Sequence, residues 1–274
     1  MRKEELSFRW LHASCYELKL PDGRIITIDP YVLPIGYPNF TEDSYTTPDY
    51  VLITHTHFDH ILDIPVVMGK NPEARLYIGA QGAIPLGEKY DLLFGQICIL
   101  ENGDEISHGG LRLKAFRGKH SRFISREKER MSNCKLAGVR EHGIEGFDAL
   151  NYVGSVEYSD FLITTPDNFR IFITGGDAEH TIPYDVARDY CPNLLIRQAS
   201  NFHTPEEYAQ CVARYNAQYV LPHHQEFAEK RLGMPMEEFA RRVQAELDRL
   251  GSPSQFIDPE QFEWYSFSCS IEKK

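Results

Sequence analysis

No apolar run in this 274-residue chain approaches the roughly 20 residues that a membrane-crossing helix needs, so no transmembrane segment is expected. The opening MRKEELSFRWLHAS has two basic residues but then Glu4 and Glu5, without an apolar centre or a small-residue cleavage site. It is not read as a secretory leader. The six cysteines (15, 98, 134, 191, 211 and 269) include no CxxC pair and sit mostly in apolar stretches. They read as buried free thiols of a reducing compartment, and the cytoplasm is the expected location. Basic residues are scarce: 29 Lys and Arg against 40 Asp and Glu leave a formal net charge of −11. A chain this acidic lacks the positive surface that neutralises a phosphate backbone, so no nucleic-acid partner is expected. A small-molecule substrate, even an anionic one, stays open, because a metal can supply local positive charge. There is no GxSxG elbow and no P-loop. Nor is there an internal repeat or a long Pro/Gly/Ser linker, so residues 1–274 are read as a single domain; a homo-oligomer stays open.

What is there is an ordinary globular mixture, 42% hydrophobic and 25% charged, which excludes low-complexity disorder and a fibrous chain. The length suffices to bury a core without disulfide or metal staples. FRWLHASCYELKL and RIITI (24–28) read as two strand-like runs joined by Pro21-Asp22-Gly23, and a proline-rich, aromatic loop over residues 30–48 follows. YVLIT (50–54) is a short buried strand that empties into THTHFDH, and residues 60–70 have helical character. Strands are expected at 74–80, 96–100 and 111–116, with a short helix over 81–90. Residues 121–150 are charge-rich and poor in β-formers, and read as an insertion or lid. FLITT, FRIFIT, PNLLIRQA and QYVLP supply further strands. HTPEEYAQCVARYN is a helix with Thr204 as N-cap, Pro205 at the first position and Glu207 completing a capping box. A last helix places Met236, Phe239, Ala240, Val243, Leu247 and Leu250 on one apolar face and stops at Gly251.

The strongest chemical signal is His55-Thr56-His57-Phe58-Asp59-His60, four candidate ligands within six residues directly after a buried strand. In an extended segment side chains alternate, so His55 and His57 face the same side and one metal can take both imidazoles. Asp59 and His60 fall past the bend, where the chain can turn toward a second metal. Further ligands stand at later strand ends: His120 after LKAFRGK, Asp177 after FRIFITGG, and His223-His224 after QYVLP. Neighbouring strand ends share a sheet edge, so these groups can converge, and two glycines before Asp177 permit a tight turn there. His12 and His180 are weaker candidates for contacts around the site. His203, before a helix N-terminus, reads as a loop residue, and Tyr31, Tyr37 and Phe40 read as core. Arg122, Arg126 and His142 are candidate substrate contacts only if the insertion overhangs the site.

THTHFDH, followed by GKHS, ITGGD and LPHH, resembles the metallo-β-lactamase superfamily, whose five motifs run Asp, HxHxDH, His, Asp, His; Asp29 in IITIDP matches the first. The resemblance spans roughly residues 8–225. WLHAS, TIDP, HTPEE and the P-x-H ending are more specifically similar to the branch that holds L-ascorbate-6-phosphate lactonase and the phospholipase-D-type hydrolases of N-acyl phosphatidylethanolamines. The resemblance implies an α/β architecture, a four-layered α/β/β/α sandwich with two divalent metals at one edge. It places His55, His57 and His120 on one ion, Asp59, His60 and the last-motif histidine on the other, and Asp177 between them. His224 matches P-x-H, with His223 the alternative, and Asp29 braces the loop without touching metal.

The chemistry expected is metal-dependent hydrolysis. Two cations ionise a shared water, which attacks a small ester, lactone or phosphate-bearing metabolite, with Asp59 as the catalytic carboxylate that orients it or takes its proton. The His and carboxylate donors suit zinc by default, manganese by resemblance to the lactonase, and iron. Relatives that reduce oxygen at two irons carry Glu at the second motif position, where this chain has His57, so that chemistry is not expected. The competing expectations are a phosphodiesterase of phospholipids or nucleotides and a non-catalytic metal sensor.

Overall fold

The structure is a computed structural model and describes residues 5–118, 149–175, 188–200 and 202–267. The first sheet contains β1 (Ser7–His12), β2 (Cys15–Lys19), β3 (Ile25–Ile28), β4 (Tyr50–Leu52), β5 (Arg75–Ile78) and β6 (Ile97–Ile99), in that spatial order, with the late strand β14 (Tyr265–Ser266) beside β1. The second contains β7 (Glu105–His108), β8 (Leu111–Arg117), β9 (Ser159–Thr164), β10 (Arg170–Thr174), β11 (Leu194–Gln198) and β12 (Tyr219–His223), with β13 (Gln255–Phe256) at its far edge. Each sheet is mixed: β14 to β3 pair antiparallel and β3 to β6 parallel in the first, while β7 to β10 pair antiparallel and β10 to β13 parallel in the second.

Both faces of both sheets are covered, which is why the strands are apolar almost throughout. Alternate residues serve different layers. Ile26, Leu52, Leu113, Phe161, Ile163, Ile171, Ile173, Leu194 and Ile196 fill the space between the sheets. Val51, Ile53 and Leu76 face outward onto α1 (Phe58–Ile61), α2 (Ile64–Gly69), α3 (Ala80–Tyr90) and α4 (Ala149–Gly154), from which Ile61, Val67, Leu86 and Leu150 pack. Leu162, Phe172, Leu195 and Val220 face α5 (Pro205–Ala213), α6 (Gln225–Leu232) and α7 (Met236–Arg249). The expected α/β/β/α sandwich is what forms.

Several local expectations are refined. FRWLHASCYELKL is two antiparallel strands, broken at Ala13-Ser14, where Ala13 takes a left-handed φ of 48°. No Gly, Asn or Asp advertises that turn. Over residues 30–48 there are only two single 3-10 turns, tied down by buried acids: Asp63 accepts from Val32 N, Leu33 N and the Tyr45 hydroxyl at 2.6–2.8 Å, and Glu17 accepts from Arg9 and Thr46. At α5, Thr204 Oγ1 accepts from Glu207 N as expected, but the Glu207 carboxylate returns to His203 N rather than to the N-cap amide. Helix α6 was not foreseen, since its short amphipathic run starts directly from the left-handed His224. The thiols are not uniformly buried: Cys15 and Cys211 are, Cys98 is half-buried and Cys191 is exposed; Cys134 and Cys269 lie outside the described residues.

Candidate metal centre

The β4 strand ends against the Asp29 carboxylate, and this contact sets the loop. Asp29, itself left-handed (φ 45°), accepts Thr54 N on Oδ1 at 2.8 Å and the Thr54 hydroxyl on Oδ2 at 2.7 Å. The same Oδ2 lies 2.8 Å from His60 Nδ1. Asp29, His55, His57, Asp59 and His60 are each no more than 5% exposed. Buried polar groups at this density require partners, and the partners fix the ring orientations. Because the Thr54 hydroxyl spends its proton on Asp29, its oxygen accepts from His55 Nδ1 at 3.1 Å, and His55 Nε2 is left with its lone pair. Because His60 Nδ1–H is directed at the Asp29 carboxylate, His60 Nε2 likewise carries a lone pair.

Those lone pairs define two donor groups. His55 Nε2 and His57 Nδ1 stand 2.9 Å apart. Two nitrogens on a tetrahedral zinc with bonds of about 2.0–2.1 Å are separated by about 3.4 Å, so the pair is within small adjustment of a shared ion. The second nitrogen of His57 lies 3.0 Å from Ser155 Oγ, so a hydroxyl is available to take its N–H and turn both lone pairs inward. The other group is Asp59, His60 and His224, three buried residues whose donor atoms all lie within 4.8 Å of one another. Imidazole and carboxylate donors, buried and oriented from behind, suit a divalent cation of the zinc, manganese or iron type.

His224 reaches this trio from the end of β12. It adopts φ 56°, and its amide donates to the Ala13 carbonyl at 3.0 Å. The Trp10 indole donates to the same carbonyl, Ser14 Oγ lies 2.8 Å from His60 Nδ1, and the Tyr16 hydroxyl donates to the Pro222 carbonyl. The WLHAS turn is therefore the clasp between the two sheets at the metal end. His223 points elsewhere: its Nε2–H donates to the Thr174 carbonyl at 3.1 Å, and burial pushes its pKa down to about 3. His224, not His223, is the one gathered with Asp59 and His60.

His12 is buried beside the site. Its Nδ1 lies 3.0 Å from the Tyr37 hydroxyl, and its Nε2 is 4.0 Å from Glu226, whose pKa burial raises to about 7. Tyr31 packs on His12 and on Phe58, while Phe40 stacks on Phe262 away from the donors. His203 is exposed, with its Nδ1 3.1 Å from Arg231. His120, Asp177, His180, Arg122, Arg126 and His142 lie outside the described residues. The supporting residues Ser14, Thr54, Ser155 and Tyr158 carried no signal in the sequence. Gly154 packs closely behind the loop: a methyl there would stand 2.6 Å from His57 N.

Residues 7–138 match the family described as Beta-lactamase superfamily domain. A UPF0173 metal-dependent hydrolase of Polynucleobacter asymbioticus is 32% identical over 224 residues, covering 78% of this chain and 72% of that protein. Among solved structures, Igni18, a metallo hydrolase from the hyperthermophilic archaeon Ignicoccus hospitalis, has a TM-score of 0.68 at 16% identity and covers 97% of this chain and 99% of that one. The isothiocyanate hydrolase from Delia radicum gut bacteria has a TM-score of 0.66 at 15% identity, over 96% of this chain and 99% of that one. At such identities these two likenesses speak for the fold, whereas the 32% relative speaks for kinship. The chain belongs to the UPF0173 metal-dependent hydrolases.

Proposed function

We propose that this metal-dependent hydrolase works at a two-cation centre, as the resemblance to the metallo-β-lactamase superfamily implies, and acts on a small ester, lactone or phosphate-bearing metabolite. The observation that carries the reading is the presence of two separate donor groups, His55 with His57 and Asp59 with His60 and His224, on one loop and one strand end. His120 would complete the first group and Asp177 would join the two. When bound, the cations lower the pKa of a shared water and polarise the scissile carbonyl or phosphoryl oxygen.

The chain's own residues supply the rest. Asp59, in the first turn of α1, would orient the attacking water or receive its proton. Asp29 and Thr54 hold the imidazoles of His55 and His60 so that their lone pairs face inward before any ligand arrives. His12, whose Nδ1 lies 3.0 Å from the Tyr37 hydroxyl, would be a substrate contact. Phosphodiester hydrolysis of a phospholipid or nucleotide would use the same donors.

The test is the double variant His55→Ala/His57→Ala. We expect it to lose bound metal by elemental analysis and all turnover in a panel of lactones and bis-p-nitrophenyl phosphate. Turnover retained without metal would overturn the reading. The wild-type preference within that panel separates ester or lactone hydrolysis from phosphodiester hydrolysis. Tight metal binding with no turnover on any substrate would favour a sensor.

A further inference from the structure

Behind the metal-binding loop lies a buried aromatic that the proposed chemistry does not use. Tyr158 is 4% exposed and immediately precedes β9. Its ring centroid is 4.7 Å from that of His55, with the planes 33° apart. Its carbonyl accepts from Gly118 N at 2.7 Å, at the end of β8, and the next amide, Ser159 N, donates to Thr54 O at 2.8 Å. Tyr158 is thus tied on one side to the loop and on the other to the strand end that leads toward His120.

Two glycines meet this side chain. A methyl at Gly118 would stand 2.5 Å from Tyr158 Cδ1 and 3.0 Å from Asp160 Oδ1. A methyl at Gly175 would overlap the Tyr158 hydroxyl, with ring atom Cζ 2.9 Å away. Neither glycine has a left-handed φ. Their lack of a side chain is needed for close approach rather than for turning. Each stands two residues before a strand-end ligand named from the sequence, Gly118 before His120 and Gly175 before Asp177. Beneath them Asp160, Thr174 and Arg197 lie side by side on three adjacent strands, all buried.

We propose that Tyr158 is a positioning residue, the spacer against which the ends of β8 and β10 are seated at a fixed distance from His55. Its ring sets the His55 imidazole and the Gly118 strand end, and its hydroxyl sets the Gly175 strand end. This rests on the reading of His120 and Asp177 as ligands given above.

Cobalt(II) titration of the metal-free full-length protein, followed by its visible spectrum, tests the assignment with a readout other than activity. Tyr158→Phe keeps the ring and removes the hydroxyl. It is expected to weaken cobalt binding by about tenfold and to shift the visible bands. Gly175→Ala is expected to weaken binding by at least about tenfold, and Gly175→Ala/Tyr158→Phe to recover most of that loss, because the colliding atom is gone. Wild-type affinity and spectrum in Tyr158→Phe would overturn the proposal, and so would a double variant no better than Gly175→Ala. If Gly175→Ala does not fold, the Tyr158→Phe measurement alone decides. Wild-type protein that fails to bind cobalt through His55 and His57 would instead break the proposed function, which keeps the two failures apart.

Discussion

The two donor groups of this site are built in different ways. His55 and His57 are two residues apart, and an extended backbone alone brings Nε2 of one within 2.9 Å of Nδ1 of the other. Asp59, His60 and His224 meet only because β12 ends where the Ala13-Ser14 turn can receive it. Three non-glycine residues around that meeting point, Ala13, Asp29 and His224, have left-handed backbones. Each costs on the order of 1–2 kcal/mol that surrounding contacts must offset, a pattern common where a fold aims side chains at a ligand. One group is a property of a hexapeptide. The other is a property of two packed sheets.

Asp29 is the residue that would break both groups at once, since it braces Thr54 behind His55 and also holds His60. Asp29→Ala leaves the Thr54 amide and hydroxyl without their acceptor and His60 Nδ1 with the Ser14 hydroxyl in place of a carboxylate; we expect a loss of about 3 kcal/mol in urea unfolding of the metal-free chain. On the proposed two-cation reading, metal affinity should fall about 10–100-fold at both ions. A loss confined to one ion would mean that the groups are braced independently.

A second buried carboxylate sharpens the contrast because its environment is poorer in donors. Burial pushes the Asp160 pKa up to about 7, against the opposing effects of Thr174, Arg197 and Gly175. The folded value exceeds the ordinary one near 3.9, so the protonated form is favoured in the native state. The stability it contributes is full below about pH 4 and is lost as pH rises through about 7, with a slope of up to about 1.4 kcal/mol per pH unit. Asp160→Asn should flatten that slope in metal-free protein, measured by denaturant unfolding at several pH values. Parallel pH profiles of the two proteins would count against it.

The groups can also be separated. Ser155→Ala removes the hydroxyl beside His57, and Ser14→Ala the one beside His60. Each should weaken one step of a two-step metal titration by about tenfold and leave the other step unchanged. The same step weakened by both would erase the distinction. The smallest expected effect is at Ala13: glycine there relieves the left-handed strain but adds chain entropy, for a net gain of about 0.5 kcal/mol. A loss of more than 1 kcal/mol would show that the Ala13 methyl packs usefully.

How much of this could be read in advance follows from the range of each interaction. THTHFDH was legible because its donors crowd one short segment, and the strands were legible because both of their faces are buried. Ala13-Ser14 was not, because nothing in two small residues announces a reversal. Helix α6 was missed because its start is set by the left-handed His224 rather than by a capping residue. Ser155 and Tyr158 sit about 100 residues from the histidines they touch and have no spacing that betrays it.

By itself the sequence determined the layering, through apolar residues on both faces of its strands, and the local donor set, through alternation along an extended loop. The tertiary structure decided which of two adjacent histidines joins Asp59 and His60. At the end of β12 the strand register spends His223 on the Thr174 carbonyl, and the turn that follows, held by the Ala13 carbonyl, carries His224 round to the donors. Side chains alternate along a strand by geometry alone, but which face meets the metal depends on where the other sheet has been placed.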